Sequence, residues 1–250
     1  MNASNFTSLL EPRRLRIIQS NYVNLMDEVN QAIVAAGRAA EDVQVVGVTK
    51  YVDPPTAACL LAAGCTNLGE NRPQSLWQKN DWLCAQPVQP PGVSWHVIGH
   101  LQRNKIKRTL PLIDLLHSVD SKRLVTALES ELESTNRELD VLLEINITGE
   151  AAKTGLSIED ASPLLEHLRQ SQRLRWVGLM GMASQDGGSS VWRRQFAALR
   201  QLRDAWQTQW GIALPHLSMG MSGDFAEAIA EGATLIRVGT RLFAGVEKES

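Results

Sequence analysis

The sequence predicts a single domain with an α/β fold, a (β/α)8 barrel of the TIM type. Eight short runs rich in β-branched residues alternate with longer segments whose apolar residues recur every three or four positions. Strict alternation of strands and helices requires parallel strands joined by right-handed crossovers. The runs VQVVGV, LLEINI and TLIRV are apolar on both faces, as in a sheet that helices cover outside and a core fills inside. The length of 250 residues suits one closed barrel.

The predicted elements account for most of the chain, and we expect one domain over residues 1–250. A first amphipathic helix spans about residues 11 to 36 and precedes the first strand. The predicted strands are Val43–Thr49, Thr66–Leu68, Ser94–Gly99, Leu115–Val119, Val141–Ile147, Arg175–Met180, His216–Gly220 and Thr234–Val238. The predicted helices are Pro54–Ala63, Arg72–Leu83, Gln102–Leu110, Ser121–Glu138, Ile158–Gln170, Val191–Trp210 and Gly223–Glu231. The first strand–helix turn, TKYVDPP, contains no glycine, which argues against an open dinucleotide-binding sheet.

The composition argues against two classes of partner. Hydrophobic residues make up 44% of the chain and charged residues 21%, as in an ordinary globular protein. The formal net charge of −2 gives no general attraction to nucleic acid or to an anionic membrane. One local basic cluster could contact phosphates, and it consists of Arg103, Lys105, Lys107 and Arg108. Because no aromatic residues interleave these charges, the cluster is more simply explained as a solvated face of a short helix. We therefore expect neither a nucleic-acid nor a membrane partner.

The cysteines and the start of the chain predict a cytosolic protein. Cys59, Cys65 and Cys84 lack the paired spacing of a zinc site and indicate neither a disulfide framework nor a metal centre. We expect them to be buried thiols in a reducing compartment. The first residues lack the pattern of a secretion signal, and no apolar run is long enough to cross a bilayer.

Lys50 is the first candidate for chemistry. Functional residues in barrels of this type follow the carboxyl ends of the strands. Lys50 directly follows the apolar first strand, so its ammonium group is expected to project into the low-dielectric mouth of the barrel. Desolvation lowers the pKa of an amine and makes it nucleophilic towards an aldehyde. A lysine at the end of a strand is, however, more often a surface residue whose charge reaches solvent.

Two glycine-containing turns follow the last two strands and predict a phosphate site. Glycines let backbone N–H groups approach an anion, and a helix N-terminus adds positive potential. The turns after strands seven and eight are the recurrent phosphate site of such barrels. Ser222 and Thr240 could each cap a helix instead, but their joint position favours phosphate. Arg237 shares a strand face with Gly239, towards the interior, where it could also simply pair with a carboxylate.

Six stretches of the sequence occur in an order that is typical of one protein family. They are VVGVTKYV at 45–52, LGENRPQ at 68–74, WHVIGHLQRNK at 95–105, GLMGMA at 178–183, LSMGMSGDF at 217–225 and IRVGTRLFAG at 236–245. In these stretches the chain resembles the pyridoxal phosphate homeostasis proteins. The resemblance spans nearly all of the chain after the first helix.

The resemblance implies a fold like the barrel domain of alanine racemase, the type III fold of proteins that bind pyridoxal 5′-phosphate (PLP). PLP would be held as a Schiff base on Lys50, and Arg237 would face the pyridine nitrogen. By motif position, the residues that would hold the phosphate are Met219, Ser222, Gly239 and Thr240. Those that would line the ring are Asn71, His100 and Met180. The resemblance also implies a role in PLP homeostasis and in amino-acid and keto-acid balance, without evident turnover.

Several functions are compatible with such a site. The resemblance favours a PLP carrier or regulator that could serve PLP-dependent apoenzymes, and we expect a monomer. An arginine facing the ring nitrogen favours the unprotonated ring and weakens it as an electron sink. The main alternative is a small PLP-dependent amino-acid racemase, which needs an acid or base opposite the lysine. No second domain is predicted to supply one, and strand alternation directs Tyr51 away from the pocket.

Two further alternatives explain less of the sequence. A Schiff-base aldolase that acts on phosphosugars would also use a lysine and phosphate-binding turns, but the position of Lys50 on the first strand and the six motifs argue against it. An interaction protein without a ligand would leave the lysine and both turns unexplained.

Overall fold

The computed structural model describes residues 6–88, 90–150 and 153–246. Within these ranges, eight parallel strands follow one another in sequence order and close into a barrel, in which the first strand pairs with the last. Helices connect the strands around the outside. The predicted fold class, an α/β barrel of eight parallel strands, is confirmed.

The element bounds are as follows. The strands are β1 Gln44–Val48, β2 Asn67–Glu70, β3 Ser94–Val97, β4 Leu115–Val119, β5 Leu139–Glu144, β6 Leu174–Met180, β7 His216–Ser218 and β8 Leu235–Val238. The helices are α1 Pro12–Ala35, α2 Pro54–Ala62, α3 Pro73–Cys84, α4 Ile106–Thr109, α5 Lys122–Thr135, α6 Ile158–Gln170, α7 Gly188–Trp210 and α8 Phe225–Ala230. No helix in this part of the chain has the length and apolarity that crossing a bilayer requires.

Local sequence signals set several helix ends. The side chain of Asp53 accepts a backbone N–H in the first turn of α2, and Pro54 occupies the first helical position, where its fixed φ suits a helix. Ser121 caps the start of α5 in the same way. Asn136 ends α5 in the left-handed conformation, with φ of 52°. The helix therefore stops before Glu138, where the sequence predicts its end.

Several predicted boundaries are wrong by a few residues. The sequence predicts strands that extend beyond the observed ends of β1, β3, β5 and β7, to Thr49, Gly99, Ile147 and Gly220. Thr49 and Gly220 are buried, and Gly99 and Ile147 are half-buried, so the sequence still has the pattern of a strand beyond the observed strand ends. The predicted helix 102–110 is a 3-10 turn followed by the short α4, and α8 begins at residue 225 instead of 223.

Apolar side chains form two layers on either side of the strands. The larger layer includes the bulky, fully buried Trp95 and Phe196 and joins the strands to the helices. The smaller layer lies inside the barrel and consists of Val46, Leu115, Leu142, Met180 and Leu235. Cys59 and Cys65 are buried free thiols, as predicted, whereas Cys84 is exposed, so the prediction is wrong for this residue.

A buried ion pair ties the end of β2 to helix α3. Lys79 Nζ lies 2.8 Å from Glu70 Oε1, and both side chains are buried. The hydroxyl of Thr49 donates to the same carboxylate oxygen at 2.6 Å. Because Thr49 directly precedes Lys50, this ion pair anchors the chain where it leaves β1 for the mouth of the barrel.

Replacing Lys79 with methionine should destabilise the protein strongly. The change would leave the buried carboxylate of Glu70 unpaired, and we expect the free energy of unfolding to fall by about 3–5 kcal/mol in urea titrations. The double variant Glu70→Gln/Lys79→Met leaves no buried charge and should recover part of the loss. Lys107→Met, at an exposed site, is the control and should change stability by less than about 0.5 kcal/mol. Equal effects of Lys79→Met and Lys107→Met would contradict this account of the pair.

Candidate functional site

Lys50 lies in the turn that follows β1, at the mouth of the barrel. Its side chain is exposed, and the ammonium nitrogen lies 4.8 Å from the centre of the Tyr51 ring. The expectation that Lys50 points into a low-dielectric pocket is wrong in this structure. The side chain of Tyr51 is 71% exposed, and β1 ends at Val48, so the two-residue alternation on which its expected direction depends does not extend to this residue. The amine is therefore accessible to solvent.

The backbone of Lys50 lies beside the turn that follows β8. The two strands pair in parallel with Gly47 opposite Val238, which brings Gly239 next to Val48. A β-carbon at Gly239 would lie 3.1 Å from the carbonyl oxygen of Val48, which leaves little room for a larger residue. Lys50 follows Val48 by two residues, so its backbone lies on the side of the mouth where the turn after β8 lies.

The turns after β7 and β8 meet through two hydroxyl groups. The hydroxyl of Thr240 donates to the hydroxyl of Ser222 at 3.1 Å. Asp224, and not Ser222, stands at the cap position of α8. The residues that follow Thr240, 241–245, form turns. In the described part of the chain, neither hydroxyl therefore acts as a helix cap, which was the alternative to a phosphate site.

The turn after β7 has a constrained backbone. Gly220 has φ of +92°, and a β-carbon there would lie 2.6 Å from a side chain of α8, so glycine is required. Met219 is fully buried, and its N–H donates to the carbonyl of Leu235 at 3.1 Å, so this residue supports the turn from below. Asp224 accepts the N–H of Met221 at 2.5 Å. Burial raises the pKa of the Asp224 carboxyl group.

Arg237 is buried inside the barrel, close to these turns. Its guanidinium donates to the carbonyl and the hydroxyl of Ser218 at 2.7 and 2.6 Å, and to the carbonyl of Gly181 at 3.1 Å. Burial lowers the pKa of Arg237 to about 10, although the carboxyl groups of Asp224 and Glu144 act in the opposite direction. These contacts use three of the five guanidinium N–H bonds. The described residues provide no carboxylate ion pair for Arg237, so its partners are neutral oxygens.

The hydrogen bonds continue from Arg237 through the barrel interior. Ser218 Oγ lies 2.8 Å from His117 Nδ1, and His117 Nε2 lies 2.9 Å from His96 Nδ1. His96 Nε2 lies 3.4 Å from the hydroxyl of Ser94, at the opposite end of the barrel. Both histidines and Ser218 are buried. Neither histidine has a predicted role, although each is a polar residue at an inward-facing position of an apolar strand.

The three residues expected to line a ring have different surroundings. Asn71 is half-buried, and its carbonyl oxygen would lie 2.5 Å from a β-carbon at Gly99, so glycine permits this close approach. His100 is exposed at the rim, with Nδ1 3.5 Å from Asp120 Oδ2. Met180 is buried in the inner apolar layer. The structure therefore brings Asn71 and His100 to the mouth and places Met180 below it.

Two acidic residues at the mouth have no predicted role. Glu144 is the last residue of β5; it is buried and accepts a hydrogen bond from the hydroxyl of Thr154. Burial raises the pKa of Glu144. Asp120 is half-buried, and its Oδ1 has no hydrogen-bond partner among the described residues. Sequence could have indicated Glu144, because alternation places it on the same face as the inward-pointing Leu142. The mouth therefore combines cationic groups with two carboxyl groups, of which Glu144 has a raised pKa.

Sequence comparison places the chain among known proteins. Residues 35–246 match the family described as alanine racemase, N-terminal domain. The pyridoxal phosphate homeostasis protein of Aquifex aeolicus (strain VF5) is 36% identical over 219 residues, which cover 88% of this chain and 94% of the relative.

Two solved structures share both fold and sequence similarity with the chain. A protein from Bifidobacterium adolescentis, described as unknown, has a TM-score of 0.85 and 33% identity, and the match covers 94% of this chain and 97% of that one. PipY of Synechococcus elongatus PCC7942, solved with PLP bound, has a TM-score of 0.79 and 31% identity, and the match covers 91% of this chain and 100% of that one. The chain belongs to the pyridoxal phosphate homeostasis protein family.

Proposed function

We propose that this protein binds PLP at the mouth of the barrel and takes part in PLP homeostasis and in amino-acid and keto-acid balance. The name shared by its relatives and the PLP-bound structure of PipY support this proposal. Lys50 would hold the aldehyde carbon covalently, and Arg237 would face the ring nitrogen. The other proposed PLP-binding residues are Met219, Ser222, Gly239 and Thr240 around the phosphate, and Asn71, His100 and Met180 around the ring.

The observation that carries the proposal is the convergence of three kinds of PLP-binding group at one end of the barrel. The amine of Lys50 is exposed, and the backbone of Lys50 lies beside the turn after β8. The hydroxyls of Ser222 and Thr240 lie 3.1 Å apart and can both donate to one phosphate. Two N–H bonds of Arg237 have no partner among the described residues and could contact a ligand. These groups match the aldehyde, the phosphate and the ring nitrogen of PLP.

We further propose that the protein is a carrier or regulator and not an enzyme. Bound PLP supplies an electron sink, which is strong when the ring nitrogen carries a proton. A guanidinium only donates hydrogen bonds, so a ring nitrogen that contacts Arg237 accepts and stays unprotonated. The contacts of Arg237 with Ser218 and Gly181 hold it in place for this role. Such a site binds PLP while it weakens carbanion chemistry.

A small PLP-dependent racemase is the second candidate, and the acids at the mouth are the observation that favours it. Glu144 is buried, has a raised pKa and could exchange a proton with a bound amino acid. Racemisation of an amino acid by the PLP-loaded protein, at a rate well above that of PLP in solution, would establish this activity. A rate equal to that of PLP in solution supports the carrier.

The cellular location, the oligomeric state and the partners of the protein stay predictions. We expect a cytosolic monomer that forms one PLP-binding domain over residues 1–250 and passes PLP to PLP-dependent apoenzymes. The net charge of −2 supports neither a nucleic-acid nor a membrane partner.

Removal of the amine at position 50 should abolish covalent attachment of PLP. We expect the wild-type protein to turn yellow on incubation with PLP, and borohydride to fix the cofactor on the peptide that contains Lys50. Lys50→Ala should give neither result, whereas Lys107→Ala, which removes an exposed amine elsewhere, should behave as the wild type. A colourless wild type, or trapping on a different lysine, would refute this role of Lys50.

Loss of either hydroxyl should weaken the binding of PLP but not that of pyridoxal, which has the same ring and aldehyde and lacks the phosphate. Ser222→Ala and Thr240→Ala each remove one charge-assisted hydrogen bond, so we expect each to cost about 1–3 kcal/mol of PLP affinity. Equilibrium titration with both ligands measures the difference. Ser134→Ala, in α5 at the protein surface, is the control. Equal losses for PLP and pyridoxal, or no loss for either, would disprove the phosphate assignment.

A further inference from the structure

The hydrogen-bond chain below Arg237 has a fixed direction. A guanidinium only donates, so Ser218 Oγ accepts from Arg237 and directs its own hydrogen to Nδ1 of His117. His117 then carries its proton on Nε2 and donates to Nδ1 of His96. In the reverse direction, the hydroxyl hydrogen of Ser218 would meet no acceptor among the described residues. Every donor therefore points from the mouth towards the opposite end of the barrel.

The surroundings of both histidines keep them neutral, as this direction requires. Burial lowers the pKa of His96 to about 4, although Asp114 acts in the opposite direction. Burial lowers the pKa of His117 well below its ordinary value, and the facing groups His96, Arg237 and His216 lower it further. A proton on Nδ1 of His117 would also oppose the hydroxyl hydrogen of Ser218. One tautomer of each ring therefore satisfies all of these contacts.

We propose that His117 and His96 are positioning residues of the ligand site, because they fix the orientation of Arg237 through the hydroxyl of Ser218. The inference rests on the proposed binding of PLP, whose ring Arg237 would face. Without Nδ1 of His117 as acceptor, the hydroxyl of Ser218 can rotate until its hydrogen points towards the guanidinium of Arg237. The hydroxyl oxygen then no longer accepts a hydrogen bond from Arg237. An arginine side chain loses rotamer entropy when it becomes ordered, so an Arg237 that is held before binding costs less to order in the complex.

Two substitutions at position 117 separate hydrogen bonding from packing. Asparagine and leucine have similar size, but the side-chain oxygen of asparagine lies near the place of Nδ1 and can accept from Ser218. His117→Asn should therefore keep Arg237 oriented, and His117→Leu should not. Ser118→Ala is the matched control, because Ser118 is a buried residue of the same strand. Its hydroxyl donates to the carbonyl of Gly99 at 2.7 Å and takes no part in the hydrogen-bond chain below Arg237.

The first measurement uses the ligand-free protein. Nitrogen-15 NMR of the imidazole rings should show both histidines as the neutral tautomer with the proton on Nε2. The signals of His96 should show no protonation as the pH falls from 7 to about 5, since its pKa is about 4. A proton on Nδ1 of His117, or titration of His96 near its ordinary pKa, would overturn the assigned direction.

The second measurement compares the binding of PLP and of pyridoxal. His117→Leu should weaken both ligands roughly tenfold, because the lost contact acts on the ring and not on the phosphate. His117→Asn should stay within about threefold of the wild type, and Ser118→Ala should equal it. If the leucine variant does not fold, Ser218→Ala replaces it and should also weaken both ligands, because it removes the hydroxyl that Arg237 contacts.

The outcomes separate the two proposals. A wild type that binds neither ligand refutes the proposed function. A wild type that binds PLP, with equal affinity losses in the leucine and asparagine variants, refutes the positioning role and leaves PLP binding intact. A leucine variant that binds both ligands like the wild type refutes the positioning role as well. Loss in the leucine variant together with retention in the asparagine variant supports it.

Discussion

A cation buried inside a barrel of parallel strands imposes the strongest constraint on this structure. Arg237 is only 5% exposed, and a charge removed from water is costly unless hydrogen bonds replace the lost hydration. Ser218 and Gly181 provide those bonds from the end of β7 and from the residue after β6. The ends of three neighbouring strands must therefore keep their register around one guanidinium. The shape of the mouth follows from that requirement.

The two sides of the sheet serve different purposes. The large apolar layer between the strands and the helices holds the barrel together, because most of the buried apolar side chains lie there. The interior has only a small apolar layer, so it can accommodate His96, His117, Glu144 and Arg237 without loss of the main core. Substitutions inside the barrel should therefore change ligand binding more than those outside, which should mainly change stability.

Local patterns predicted the architecture, whereas the details of the site depend on contacts that no local pattern contains. Each strand has its own apolar signature, so the barrel and its carboxyl end could be predicted strand by strand. The prediction of low-dielectric surroundings for Lys50 is wrong because β1 ends before this residue, and the end of a strand depends on pairing with its neighbours. The link between His117 and Ser218 joins residues 101 positions apart, and it depends on closure of the barrel. Sequence alone shows the two residues but not their contact.

The contrast between a rigid Arg237 and an exposed Lys50 suits a protein that takes up PLP and passes it on. Hydrogen bonds within the barrel hold Arg237, and the turns around Ser222 and Thr240 meet through their hydroxyl groups. The groups that are proposed to contact the ring and the phosphate are thus held by contacts within the protein. The amine that would form the covalent bond is open to solvent, where water and other amines can approach it. An enzyme that protects a reactive intermediate has to exclude water, whereas a carrier requires this access for release.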